Sequence, residues 1–177
     1  MNKVIAAVRN TEELKCALNS KADIVFMLST NIEELGTQVE QAHKAGKKLF
    51  VHIDLADGIG KDEYGIRYAK SLGVDGIIST RVNIIRLAKR CELFTVQRFF
   101  IVDSHSVRTT VDTAKVSKAD MIEIMPGTVS KIITVLKAEL DMPIVAGGLI
   151  DKKEEIANAI NAGAEAVSTG KAELWEM

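Results

Sequence analysis

Eight short runs of β-branched and other apolar residues alternate with helical patterns along the whole chain, and that alternation is the signature of parallel βαβ units. The runs are Val4 to Val8, Ile24 to Leu28, Leu49 to Ile53, Gly76 to Ser79, Thr95 to Val102, Met121 to Met125, Pro143 to Ala146 and Ala166 to Ser168. Between them apolar residues recur at steps of three and four, as in Val82, Ile85 and Leu87-Ala88, or Val129, Ile132-Ile133 and Leu136. Phe99-Phe100-Ile101-Val102 and Ile144-Val145-Ala146 have no polar face at all, as expected of strands covered by helices on one side and filling a barrel on the other.

The punctuation fits the same plan. Asn10 or Thr11, Asn31, Thr128 and Asp151 precede helical runs and are expected to cap them. Gly46, Gly73 and Gly163 each follow a helical run just ahead of a strand, where a left-handed C-cap is expected. Repetition of this turn favours one closed (β/α) barrel of the TIM type over residues 1–177, compact, with some helices shortened or absent. An open doubly wound sheet is the alternative. No linker or low-complexity stretch divides the chain, and both prolines, Pro126 and Pro143, stand at strand boundaries.

Composition narrows the function classes. No apolar run is long enough to span a bilayer, and the five-residue apolar stretch at the N-terminus reads as a first strand rather than a signal peptide, so a cytoplasmic protein without membrane contact is expected. Cys16 and Cys91 lie far apart and outside any zinc or redox spacing, which makes them small buried apolar groups in this reading. A formal net charge of -1 offers no global attraction to nucleic acid, so any such contact needs a local basic cluster.

In parallel barrels the chemistry gathers where strands end. Two of these ends stand out. Ala146-Gly147-Gly148 ends the seventh run and Val167-Ser168-Thr169-Gly170 the eighth, and both loops can reach one anion. Glycines let backbone N–H groups approach phosphate oxygens, and Ser168 and Thr169 add hydroxyl donors. Gly147, Gly148, Ser168, Thr169 and Gly170 are therefore the candidate phosphate ligands.

Asp54, Ser79, Asp103 and Glu123, at the ends of other strands, are candidates for binding ligand hydroxyls. Glu123 has a second reading, a structural ion pair with Arg98 on the neighbouring strand. His52-x-Asp54 supplies only two potential metal ligands, too few to define a site, and no metal or cofactor is expected. No nucleophile with an adjacent base and no dinucleotide fingerprint appears, so no catalytic residue is assigned.

Between Arg81 and Arg98 the cations Arg81, Arg86, Lys89, Arg90 and Arg98 face a single carboxylate, Glu92. Such a run is either a solvated helix face or an RNA-phosphate contact, and Arg81, Arg86, Lys89 and Arg90 are the RNA candidates. Phe94 and Phe99-Phe100 lie nearby and are expected in the core.

Several of these segments form an ordered set: His52-Ile53-Asp54-Leu55, Asp75-Gly76-Ile77-Ile78-Ser79-Thr80-Arg81, Gln97-Arg98-Phe99-Phe100, Glu123-Ile124-Met125-Pro126-Gly127, Pro143 to Ile150, Val167-Ser168-Thr169 and Glu173-Leu174-Trp175. In that order they resemble the glycerol-3-phosphate-responsive antiterminator family, regulators of glycerol uptake operons in Gram-positive bacteria. The resemblance implies a barrel and glycerol 3-phosphate as ligand. It also implies ligand-dependent contact with a leader mRNA that prevents early transcription termination. It carries no motif for the RNA surface, and oligomerisation is left open. The competing reading is a small barrel enzyme acting on a phosphorylated sugar or triose.

Overall fold

All eight expected strands are present in the computed structural model, which describes residues 3–177. They are β1 (Val4–Val8), β2 (Ile24–Met27), β3 (Lys48–His52), β4 (Gly76–Ser79), β5 (Phe94–Phe100), β6 (Met121–Met125), β7 (Ile144–Gly147) and β8 (Ala166–Thr169). The helices among the described residues are α1 (Thr11–Leu18), α2 (Leu35–Lys44), α3 (Glu63–Ser71), α4 (Val82–Arg90), α5 (Ser104–Ser117), α6 (Ser130–Glu139) and α7 (Lys153–Asn161). Each strand pairs in parallel with the next, and β8 pairs with β1, placing Ser168 opposite Ile5. That last ladder closes the barrel and excludes the open-sheet alternative.

Alternation along each strand divides the core in two. Ile5, Phe26, Phe50, Ile78, Val96 and Val145 point into the barrel, where the Phe26 and Phe50 rings stack with centroids 5.7 Å apart. Their neighbours in sequence, including Ala6, Val25, Val51, Ile77 and Ala146, point outward and pack under Leu14, Leu35, Ile66, Ile84 and Ile133 of the helices. The helical stripes seen in the sequence are the faces that cover this outer layer.

The three repeated turns form as expected: Gly46, Gly73 and Gly163 have φ of +71°, +87° and +111°, in the left-handed region that glycine enters without a Cβ clash. Capping follows the expectation in part. Asn10 accepts from the Glu13 amide at 2.9 Å, and Asn31 accepts from the amides of Glu33 and Glu34 just ahead of α2. Thr128 and Asp151 do not cap. The amides of Asp151 and Lys152 are bound instead by Glu155, which reaches back from the first turn of α7, and Val129 stands at the N-cap of α6 without a side-chain cap.

Two further expectations are corrected. Cys16 is exposed and Cys91 only partly buried, because Cys16 falls on the solvent side of α1. Phe94 and Phe100 stand at opposite ends of β5 and are 39% and 59% exposed; Phe99 packs against the outer core, and Phe94 keeps one ring contact, with Phe50 at 5.4 Å between centroids. A two-residue parallel pair, Thr30–Asn31 with Ala56–Asp57, joins the loops that follow β2 and β3. After β8 comes a 3-10 turn, Ala172–Leu174, and then Trp175, which is 1% exposed and donates its indole N–H to the Thr169 carbonyl at 2.8 Å. No described helix is long and apolar enough to cross a membrane.

Asp120, just ahead of β6, ties the base of β5 to α4. It accepts from the Thr95 amide at 3.0 Å, the Thr95 hydroxyl at 2.7 Å and Lys89 at 2.6 Å. Partial burial alone would raise its pKa, but these bonds outweigh it and hold the carboxyl below its ordinary value. A depressed folded-state pKa contributes stability that is complete above the unfolded value and disappears as the pH falls through the folded one. Asp120→Ala is therefore expected to cost about 1–2 kcal/mol near pH 7, allowing for solvent screening. In urea denaturation the gap between variant and wild type should narrow progressively below about pH 4.

Candidate functional site

Above the apolar interior, the inward positions near the C-terminal ends of the strands change character. Two residues on from Phe50 comes His52, from Val96 Arg98, from Met121 Glu123, from Val145 Gly147 and from Ala166 Ser168. The alternation that buries the first set carries the second set inward as well. Glu123 is fully buried and accepts from Arg98 Nε at 2.6 Å through one oxygen and from the Ser168 hydroxyl at 2.5 Å through the other. This is the ion pair that the sequence offered as the second reading of Glu123. Gly147 makes the cluster possible, since a Cβ there would stand 2.5 Å from both Glu123 Oε1 and Ser168 Oγ.

A cavity of about 330 Å³ opens at this end of the barrel, lined by Ala7, Leu28, Arg98, Met125, Ser168, the turn Gly148-Leu149-Ile150-Asp151, and Thr169, Gly170 and Lys171 with Arg9. The loops after β7 and β8 thus face one space. Gly148 and Leu149 both have positive φ, +76° and +59°, which turns successive amides of the first loop toward one side. The Gly148 amide continues the β7–β8 ladder toward Ser168, whereas the amides of Leu149 and Gly170 have no hydrogen-bond acceptor among the described residues. Thr169 is engaged, donating its hydroxyl to the Ile150 carbonyl at 2.7 Å and accepting from the Lys171 amide, so it joins the two loops.

Three cations, Arg9, Arg98 and Lys171, line the cavity against one carboxylate, Asp151, which lies 3.7 Å from Lys171. Arg9 and Lys171 were not singled out from sequence, although each directly follows a strand or its terminal glycine, the same position that drew attention to the loops. Glu155, reaching back from the first turn of α7, takes the amides of Asp151 and Lys152 ahead of the helix, so those two are not free for an anion.

The other expected polar ligands lie apart from this cavity. Asp54 accepts from the Ser79 hydroxyl at 2.8 Å, the Thr80 amide at 2.8 Å and the Thr80 hydroxyl at 3.1 Å, with Arg81 Nε at 3.8 Å. Burial alone would raise its pKa, and these bonds together with His52 more than reverse that. Asp54 and Ser79 thereby clamp the loop after β3 to the end of β4. Asp103 is exposed and caps α5, accepting from the Ser106 amide at 2.7 Å. Burial foremost, and the Arg98 cation next, push the His52 pKa down to about 4, so its ring is neutral at physiological pH. Among the described residues no group of three or more His, Cys, Asp or Glu is placed to hold a metal ion.

The basic segment divides. Arg81 stands at the barrel mouth beside Asp54. Arg86, Lys89 and Arg90 lie on α4 along a shallow groove of about 1010 Å³ that Val116, Ser117 and Lys118 complete. Two of these cations have structural bonds: Arg86 donates to the Val116 carbonyl at 3.0 Å and Lys89 to Asp120.

Comparison with known proteins gives this geometry a context. The chain is 36% identical over 177 residues to the uncharacterized protein YgcP of Escherichia coli K12, covering 99% of this chain and 93% of that protein. Its fold superposes on the glycerol uptake operon antiterminator regulatory protein of Listeria monocytogenes with a TM-score of 0.94 and 34% identity, covering 99% and 95% of the two chains. A glycerol uptake operon antiterminator-related protein of Thermotoga maritima matches with a TM-score of 0.89 and 28% identity over 99% of both chains. A putative deoxyribose-phosphate aldolase from Coccidioides immitis, at 12% identity and a TM-score of 0.74, shares the barrel fold alone. The model of the glycerol-3-phosphate responsive antiterminator family matches residues 4–175, and the chain belongs to that family of regulators.

Proposed function

We propose that this chain binds glycerol 3-phosphate in the barrel mouth and, according to whether ligand is bound, contacts the leader of a glycerol-operon mRNA in the cytoplasm to prevent early transcription termination. The observation that carries the ligand half is the convergence of the loops after β7 and β8 on one small cavity, with unused amides at Leu149 and Gly170 and with Arg9 and Lys171 beside them. A dianionic phosphate supplies the acceptors those amides lack. In this reading Gly148, Gly170 and Ser168 border the phosphate, Thr169 holds the two loops together and Gly147 leaves room for the Glu123 cluster. A cavity of about 330 Å³ is at the small end of ligand sites, which suits a three-carbon phosphate.

For the RNA, the α4 groove with Arg86, Lys89, Arg90 and Lys118 is the favoured phosphate-backbone contact, and Arg81 at the mouth is the candidate nearest the ligand. The near-neutral overall charge concentrates any attraction there.

An enzyme on the same fold is the alternative that the aldolase likeness raises. Lys48, in inward register with Phe50 and His52, stands at the opposite end of the barrel beside Ile24, Phe94 and Asp75, and the amine at the cavity, Lys171, is half exposed and lies 3.7 Å from Asp151, so neither is the desolvated amine that a Schiff base with a carbonyl substrate calls for. Family membership favours the regulator.

Gly148→Asp would set a carboxylate beside the phosphate, and Asp tolerates the left-handed backbone there better than most residues. Calorimetric titration with glycerol 3-phosphate should show affinity falling at least ~100-fold by like-charge repulsion, with circular dichroism unchanged. Undiminished affinity would remove the phosphate from these loops. In filter binding to the operon leader RNA, glycerol 3-phosphate is expected to change affinity, and the binding should weaken steeply with added salt. Arg90→Glu combined with Lys118→Glu should lower RNA affinity ~10-fold or more while leaving ligand titration as in wild type. RNA binding indifferent to the ligand would count against the regulatory reading.

A further inference from the structure

The cavity has a floor whose hydrogen-bonding capacity is not used up. Glu123 is satisfied on both oxygens, by Arg98 Nε and Ser168 Oγ. On the other side of the same cluster, Arg98 Nη2 and His52 Nδ1 are buried and bond no other described residue, although the two side chains are only 6% and 4% exposed. A buried donor or acceptor without a partner destabilises the fold, so a pair of them beneath a ligand cavity marks groups kept for the ligand. Arg98 lines the cavity directly, and His52 faces the interior two residues beyond Phe50.

The charges say what kind of group fits. Arg98 is matched by Glu123 at 2.6 Å, and His52 is neutral at physiological pH, so the floor as a whole carries no net charge. The neutral imidazole offers one N–H and one lone pair, and Arg98 Nη2 offers donors only. Together they accommodate groups that both donate and accept. Alcohols do so, whereas a carboxylate accepts only and would be drawn to Arg98 while standing close to Glu123.

Building on the phosphate reading of the rim, we propose that Arg98 and His52 form a hydroxyl-selective floor that recognises the uncharged, polyol end of a short phosphorylated ligand and rejects a carboxylate of the same length. His52 is then the specificity-determining residue, and Asp54, Ser79 and Asp103 take no part in reading the hydroxyls.

The test is calorimetric titration of three probes, inorganic phosphate, glycerol 3-phosphate and 3-phosphoglycerate, into wild type, His52→Phe and the charge-balanced double variant Arg98→Met with Glu123→Met. Wild type should bind glycerol 3-phosphate at least ~10-fold more tightly than 3-phosphoglycerate, a comparison that needs no variant to fold. His52→Phe should lose ~10-fold in glycerol 3-phosphate affinity while its inorganic phosphate affinity stays within about twofold, and the double variant should lose the preference between the two organic ligands. Equal wild-type affinity for the two organic phosphates, or a His52→Phe protein that binds glycerol 3-phosphate as wild type does, overturns the floor and leaves the rim standing. Failure of wild type to bind any of the three overturns the rim and the floor together.

Discussion

The buried Arg98–Glu123 pair is the constraint around which the upper barrel is arranged. A carboxylate with no exposed surface is tolerable only when matched and hydrogen bonded, and here a guanidinium and a serine hydroxyl do both from strands on either side of it. The pair demands space, and Gly147 on the intervening strand supplies it by having no side chain. The same demand divides the barrel along its axis. Below the pair the interior is filled by Ile5, Phe26, Phe50, Val96 and Val145, and above it polar groups line the cavity at the mouth.

Much of the architecture was legible in the sequence because it rests on periodicity. Strands apolar on both faces and a glycine turn repeated three times are local signals, and both describe the closed barrel. The two-residue strands at Thr30–Asn31 and Ala56–Asp57 were not legible, since they are too short to show a period and exist only because two loops meet. Capping departs from the expectation where the capping group acts backward: Glu155 lies inside α7 rather than ahead of it, where a capping residue ordinarily stands. Phe94 and Phe100 were misplaced because burial depends on where a strand outruns its cover, which a single strand does not reveal.

The site was readable to the same degree and for related reasons. The glycine loops announce themselves by composition, and their positions at strand ends follow from the fold. Arg9 and Lys171 occupy equivalent ends but are single cations among many, and only the closed ladder between β1 and β8 brings them to the same cavity. Asp54 and Ser79 are the right residue types at strand ends, yet they bond each other across adjacent strands, a choice that depends on geometry rather than on chemistry. Fold and function separate in the same way. Aldolases share the barrel at low identity, but the polar inward residues of this chain are His52, Arg98, Glu123 and Ser168, three of them bonded into one buried cluster.

Trp175 gives the mouth a dependence on a distant stretch of chain. Its indole is bound to the Thr169 carbonyl, and the Thr169 hydroxyl in turn holds the Ile150 carbonyl of the neighbouring loop. The two loops are therefore moored in series to one buried aromatic anchor, so their spacing is inherited from how firmly the tail is seated. Slack in that tail would be transmitted through Thr169 to Gly148 and Gly170 without any residue of the cavity having changed.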